Sequence, residues 1–373
     1  MPTSKTPRKR LVVKVGSGLL RDPQGGLREA WVGDIAAQLS TLRQQGHDVL
    51  LVSSGAIALG IQALGQQEIP KTITQQQAAA AIGQSRLIWM YERAFRGLGQ
   101  QVAQVLLTHE DLRARVRYLN ARHTLQALLQ YGIIPIINEN DTVSVAEIRF
   151  GDNDQLSAMV CNLVDVDMLI MLTDLDGLYT ADPRVHPEAE FIPLVEKLDA
   201  RIEALATRTT HRTGRGGMYS KIQAAKIAAA NGAHTYIANG LRPDILLHIL
   251  AGDAVGTHIP PPTSAKLSSR KRWIGFALKA KGEIVVDTGA QRALTKRGKS
   301  LLPSGILTVS GNFHFGDAVY CVDTAASCFA QGLVNYSAKE LQAILGQHTS
   351  RIEKILGYKE YDEVIHRDNL VLL

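Results

Sequence analysis

Two lysines stand on glycine-rich segments far apart in the chain. Lys14 sits in Lys14-Val15-Gly16-Ser17-Gly18, and Lys221 closes Gly214-Arg215-Gly216-Gly217-Met218-Tyr219-Ser220-Lys221. Glycines let backbone N–H groups approach an anion closely, and a lysine adds a mobile positive charge. Between the lysines lie two clusters dense in carboxylates and amides, Asn138-Glu139-Asn140-Asp141 and Gly151-Asp152-Asn153-Asp154-Gln155. Carboxylates repel an anionic group but can hold an ammonium group, a Mg²⁺ ion or a lysine. A free amino acid has an ammonium to offer. Cations on glycine loops with carboxylates between them suggest phosphoryl transfer, which asks for in-line positioning and surrounding positive charge. The chain has no Ser/His/Asp set or H-E-x-x-H motif that would offer another mechanism. Neither glycine segment is a Walker A loop or a G-x-G-x-x-G dinucleotide fingerprint.

Two further segments belong with these. Ser53-Ser54-Gly55-Ala56 follows an apolar run and opens a helix, which makes an anion site or, more plainly, a serine cap. Thr173-Asp174-Leu175-Asp176-Gly177-Leu178-Tyr179 would suit an adenosine moiety, although from its residues alone it is an Asp-Gly turn. Plainer readings exist elsewhere too. Lys14 could snorkel to the surface beside an ordinary turn, and Asp152 or Asn153 could simply cap a helix.

These segments sit where short Val/Ile/Leu runs end. The runs are Leu11–Val15, Val49–Val52, Val102–Leu107, Ile133–Ile137, Met168–Leu172 and His234–Ala238, as expected of strands buried on both faces. Helical spacing fills Arg28–Gln45, Thr74–Leu98 and Arg117–Tyr131. The alternation predicts an α/β domain over residues 10–260, a mostly parallel sheet sandwiched by helices, whose ligands bind beyond the carboxyl ends of the strands. Residues 1–9 are basic and read as a solvated tail. Three prolines from Pro260 to Pro262 and the Ser/Lys/Arg run after them mark a linker over 261–280. Residues 281–373 read as a small β-rich domain, with strands at Gly282–Asp287, Ile306–Ser310, Ala318–Val322 and Phe329–Asn335.

At 373 residues the chain is long enough for two domains. No apolar run approaches a membrane span, and the interrupted start is a poor secretory signal. The odd set Cys161, Cys321 and Cys328 has no C-x-x-C spacing. It reads as reduced and buried thiols of a cytoplasmic protein, neither a zinc site nor a disulfide framework. The net charge of +6 is uneven: residues 261–373 hold 15 basic and 10 acidic residues, hence +5, and residues 1–260 only +1.

The runs VVKVGSG, SSGAIALG, INENDTV, FGDNDQLSA, TDLDGLYTADP and RGGMYSKIQAA together resemble, in order, the motifs of the amino-acid kinase family. Within it they resemble the branch that phosphorylates the γ-carboxylate of L-glutamate, the first step towards proline. The resemblance implies ATP with Mg²⁺ as phosphoryl donor. It implies that Lys14 and Lys221 stabilise charge on the transferring group and that Asp154 holds both lysines. Ser54, Asp141 and Asn153 would contact glutamate. Lys14, Thr173, Asp174, Arg215, Gly216, Gly217, Met218, Tyr219, Ser220 and Lys221 would contact the nucleotide. Family relatives also suggest a homo-oligomer, dimer or tetramer, and inhibition by proline. Two departures stand out: GSG where Gly-Thr-Ser is expected, and GRGGM where Gly-Thr-Gly-Gly-Met is expected. The extra cation, Arg215, is read as pointing to solvent. The C-terminal runs GEIVVDTGA, SLLPSGI, VSGNFHFGDAV and QGLVNYSA resemble a PUA domain, a module best known in RNA-modifying enzymes. Lys296, Arg297 and Lys299 could meet phosphates there, though a solvated basic loop explains them as well. The competing readings are a kinase of the same fold acting on aspartate, N-acetylglutamate or UMP, and an RNA-binding protein with an inactive kinase-like domain.

Overall fold

Apolar residues on both sides of a strand demand cover on both faces, and Leu11, Val12, Val13 and Val15 are fully buried. They form β1 (Arg10–Val15), the centre of a seven-stranded sheet. A computed structural model describes residues 7–22, 26–66, 68, 70–143, 152–208, 217–262, 271, 274–275 and 278–373 of the chain. After β1 come α1 (Glu29–Gln44), β2 (Asp48–Ser53), α2 (Ala56–Ala63), α3 (Ile73–Arg96) and β3 (Val102–Leu107). Next are α4 (His109–Arg113), α5 (Arg115–Gln130), β4 (Ile134–Glu139), α6 (Asp152–Val164) and β5 (Met168–Thr173). A small hairpin, β6 (Leu178–Tyr179) with β7 (Phe191–Ile192), leads to α7 (Ala200–Arg208) and α8 (Met218–Ala229). The first unit closes with β8 (His234–Asn239), α9 (Ile245–Ala251) and β9 (Thr257–Ile259).

The strand order is β3-β4-β2-β1-β5-β8-β9, with every pairing parallel except the antiparallel edge strand β9. From β1 the chain first builds outward through β2, then crosses back to add β5 on the other side of β1. The order reverses between β1 and β5, where open α/β sheets bind ligands.

Period-two alternation decides which helix each strand residue meets. Leu11, Val13 and Val15 of β1, Val49 and Leu51 of β2, and Ile134 and Ile136 of β4 share one core with α1, α3 and α9. Val12 and Lys14 therefore point to the other face, where α6 packs across β1, β2, β4 and β5. On the first face α2 and α3 cross at glycines. A Cβ at Gly60 would lie 1.7 Å from the carbonyl oxygen of Ala79, and one at Gly83 1.7 Å from that of Ala56.

The chain divides into two compact units, Met1–Lys266 and Leu267–Leu373. The second holds β10 (Gly282–Val286), α10 (Thr288–Arg297), β11 (Ile306–Gly311), β12 (Ala318–Val322), β13 (Cys328–Leu333), α11 (Ala338–Ile344), α12 (Ile352–Leu356) and β14 (Leu370–Leu372). Its sheet runs β11-β10-β12-β13-β14 around its own core, which includes Ile284, Phe313, Val319 and Tyr336.

Three details differ from the sequence reading. Arg8 and Lys9 are not loose: Arg8 meets Asp48 at 2.6 Å, and the Lys9 amide donates to His47 Nδ1 at 3.1 Å. Cys161 and Cys321 are buried, but Cys328, at the start of β13, is exposed. The edge strands β9 and β14 are three residues each, too short to leave an alternating pattern in sequence. Among the described residues no helix is long and apolar enough to cross a membrane.

Candidate active site

Lys14 is 4 % exposed, Lys221 5 % and Asp154 1 %. A buried lysine without a partner is costly, so the sequence must supply an anion. Lys14 Nζ lies 2.6 Å from Asp154 Oδ1, and Lys221 Nζ lies 3.2 Å from Asp154 Oδ2. Asp154 stands in the first turn of α6, where the helix dipole favours a carboxylate. Lys221 stands in the first turn of α8, whose cap is Gly217, and its neighbour Ser220 donates its hydroxyl to Asp154 Oδ2. Burial alone would raise the Asp154 carboxyl, but the two ammonium groups and the serine outweigh it and hold it down at about 2. Burial also pulls the Lys14 ammonium below its ordinary range, with Asp154 opposing and the charge of Lys221 adding to that pull. In this cluster two ammonium groups share one carboxylate.

The alternation of β2 and β4 brings Ser53 and Asn138 to the α3 face. Ser53 Oγ lies 3.0 Å from Tyr91 Oη, and Asn138 Nδ2 donates to Gln84 Oε1 at 2.6 Å. From α6, Asn153 reaches the same place. Its Nδ2 donates to Ser54 Oγ at 2.9 Å, to Asn138 Oδ1 at 3.0 Å and to the Ser53 carbonyl at 3.3 Å. Its Oδ1 is buried with no hydrogen-bond partner among the described residues. Ser54 is not the cap of α2. Gly55 is, at φ +107°, a conformation open to glycine, which leaves the Ser54 hydroxyl to Asn153. Asp141 lies in the turn directly after β4.

On the other side of β1, Thr173 ends β5 beside Asn239 of β8, and its Oγ1 donates to Asp174 Oδ1 at 3.1 Å. Asp174 also accepts from Arg184 at 2.9 Å, and Asn239 Nδ2 donates to Asp176 at 3.1 Å. Met218 is buried and Tyr219 exposed in the first turn of α8. Arg215 and Gly216 lie outside the described residues. The structure thus joins Lys14, Asp154, Ser220 and Lys221 in one cluster and Ser54 and Asn153 in a second. Thr173 and Asp174 stand at the end of the strand next to β1. Sequence reasoning named Asn138 only as part of its cluster and passed over Gln84 and Arg184. Gln84 carried a faint signal: it lies four residues after Ala80 and three before Leu87, on the buried stripe of an otherwise small-residue helix face.

Comparison with known proteins agrees with this architecture. The amino acid kinase family matches residues 9–239, and the PUA domain matches residues 282–356. A glutamate 5-kinase from Pelobacter propionicus is 51 % identical over 365 residues, covering 98 % of each chain. One from Geobacter sulfurreducens is 50 % identical over the same span and coverage. One from Meiothermus ruber is 50 % identical over 372 residues, covering 100 % of this chain and 98 % of that protein. Among solved structures, the UMP kinase from Bacillus anthracis aligns with a TM-score of 0.48 at 16 % identity, over 70 % of this chain and 100 % of that one. With half of its residues shared along almost its whole length, this chain belongs to the amino acid kinase family and, within it, to the glutamate 5-kinases.

Proposed function

We propose that this chain transfers the γ-phosphoryl group of ATP to the γ-carboxylate of L-glutamate, giving glutamyl 5-phosphate and ADP. The observation that carries the reading is the pair of buried lysines on the two oxygens of one carboxylate. A lysine pair alone would repel itself; Asp154 lowers that cost and fixes both nitrogens before any substrate arrives. The two ammonium groups then face whatever enters at the switch point between β1 and β5. In the transfer, a γ-carboxylate oxygen of glutamate forms a bond to the γ-phosphorus. The bond from phosphorus to the β,γ-bridging oxygen breaks, and its electrons leave on ADP. Lys14 and Lys221 stabilise the charge spread over the phosphoryl oxygens. Asp154 touches neither substrate and acts through the lysines.

Asn153, Ser54 and Asp141 form the amino-acid side, where the Asn153 oxygen, without a donor among the described residues, suits the substrate ammonium. Thr173, Asp174 and the start of α8 form the nucleotide side, α8 offering free N–H groups to phosphate. The donor set also bears on Mg²⁺. Among the described residues no three His, Cys, Asp or Glu side chains gather into a metal cluster, and both Asp154 oxygens are taken. Mg²⁺ commonly keeps water and substrate phosphates as ligands. Here it would ride mainly on the triphosphate, supplying charge neutralisation. The free thiols fit a reducing compartment, and the cytoplasm is the location proposed.

The test is an ATP assay with L-glutamate and hydroxylamine, which traps the acyl phosphate as a hydroxamate. Aspartate, N-acetylglutamate and UMP are run in parallel. Folded protein with Mg²⁺ that releases no glutamate-dependent ADP would sink the reading. Adding proline to the same assay tests feedback inhibition, and sedimentation tests the homo-oligomer; both rest on family resemblance alone.

A further inference from the structure

We infer that Gln84 of α3 is a positioning residue for the amino-acid substrate, because it anchors Asn138, whose oxygen receives and holds the Asn153 amide. The inference rests on the glutamate-kinase reading and extends it to a residue that touches no substrate itself.

The hydrogen bonds determine the orientation of three amides in series. The Glu139 backbone N–H donates to Asn138 Oδ1 at 2.9 Å. A backbone N–H can only donate, so the oxygen of Asn138 must face it and the Asn138 nitrogen must face Gln84. Gln84 Oε1 accepts that nitrogen at 2.6 Å. The same Asn138 oxygen receives Asn153 Nδ2 at 3.0 Å, and the Ser53 carbonyl, also only an acceptor, receives it at 3.3 Å. Asn153 therefore turns its nitrogen inward and leaves its buried oxygen without a donor among the described residues. That oxygen is the group an ammonium needs. Without the acceptor on Gln84, Asn138 has a buried nitrogen with no partner, and the Glu139 N–H blocks the rotation that would relieve it. Asn138 instead shifts from its place, and with it the oxygen that receives Asn153 Nδ2.

The helix is built to hold this position. Gln84 and Tyr91 lie two turns apart on one face of α3, and each reaches the end of a different strand, β4 and β2. Gly83, adjacent to Gln84, lets α3 sit directly on the backbone of α2. Asn138 is 1 % exposed, so water does not readily replace the missing acceptor.

The experiment is steady-state kinetics of the full chain with Gln84→Met and Gln84→Glu, each also in an Asn153→Ala background. Gln84→Met should raise the KM for L-glutamate about tenfold, the scale of one buried hydrogen bond, with the KM for ATP unchanged and the protein still folded. Gln84→Glu keeps an acceptor oxygen and should restore the parent KM. In the Asn153→Ala background Gln84→Met should have no further effect, since the two act as one unit. An unchanged glutamate KM in folded Gln84→Met overturns the inference. So does a shift that moves ATP and glutamate together or persists without Asn153, because either marks a general loosening of α3. Parent protein that fails to turn over glutamate overturns the underlying kinase reading, a result distinct from all of these.

Discussion

Asp154 holds two ammonium groups, and losing either should hurt turnover more than binding. Lys14→Ala and Lys221→Ala are each expected to lower kcat by roughly 10²–10³, the effect of removing one preorganised charge stabiliser. Initial rates at saturating ATP check this; a change confined to the KM for ATP would mean the lysines serve the ground state. The same cluster sets a pH dependence. The Lys14 pKa is depressed by burial, so its charge is lost on the alkaline side before that of an ordinary lysine. Bound triphosphate adds negative charge and pushes that pKa back up. The alkaline fall of kcat/KM for ATP, which reports the free enzyme, should therefore come at lower pH than the fall of kcat. On the acid side the sign is that of a depressed carboxyl. Asp154 drops from its ordinary 3.8 to about 2, so its stabilisation is complete above the unfolded value and disappears as pH falls towards 2. Chemical denaturation from about pH 5 down to about pH 2, comparing the parent with Asp154→Asn, reads this directly.

At the scale of elements, the crossing of α2 and α3 carries a prediction of its own. Gly83→Ala places a methyl group against backbone, which cannot swing aside as a side chain can. The expected loss is about 1–3 kcal/mol or more, read from the denaturant midpoint. Much of the frame was legible in sequence. The runs around Val13, Leu51, Ile136 and Ile170 announced buried parallel strands, and the chemistry gathered at their ends as open sheets require. The alternation in β1 even fixes the face of Lys14 once the neighbouring core is known. Other parts were not legible for physical reasons. The partner of Lys14 is 140 positions away, and nothing local to either residue encodes their meeting. Gln84 looks like any helix-forming glutamine, because its role depends on how closely α3 approaches β4. Arg8 and Lys9 read as tail because charge dominates composition there, while their hold on Asp48 and His47 is tertiary.

For the molecule as a whole, every described residue of the candidate site falls in the first compact unit, and the second has a core of its own. A chain ending at residue 262 should therefore keep hydroxamate formation within about tenfold of the full chain (1.4 kcal/mol in barrier terms). A larger loss would assign the PUA unit a share in turnover.

The start of α6 has one more consequence. Asn153 and Asp154 are consecutive, and successive helical side chains diverge by about 100°. One turns to Ser54 and Asn138 and the other to the lysines. On the proposed assignment of the two pockets, the spacing between nucleophile and electrophile is set by a single stretch of backbone, and neither pocket can drift without dragging the other. A nudge to that one helical turn, from any direction, would spoil the line of attack while both substrates stayed seated.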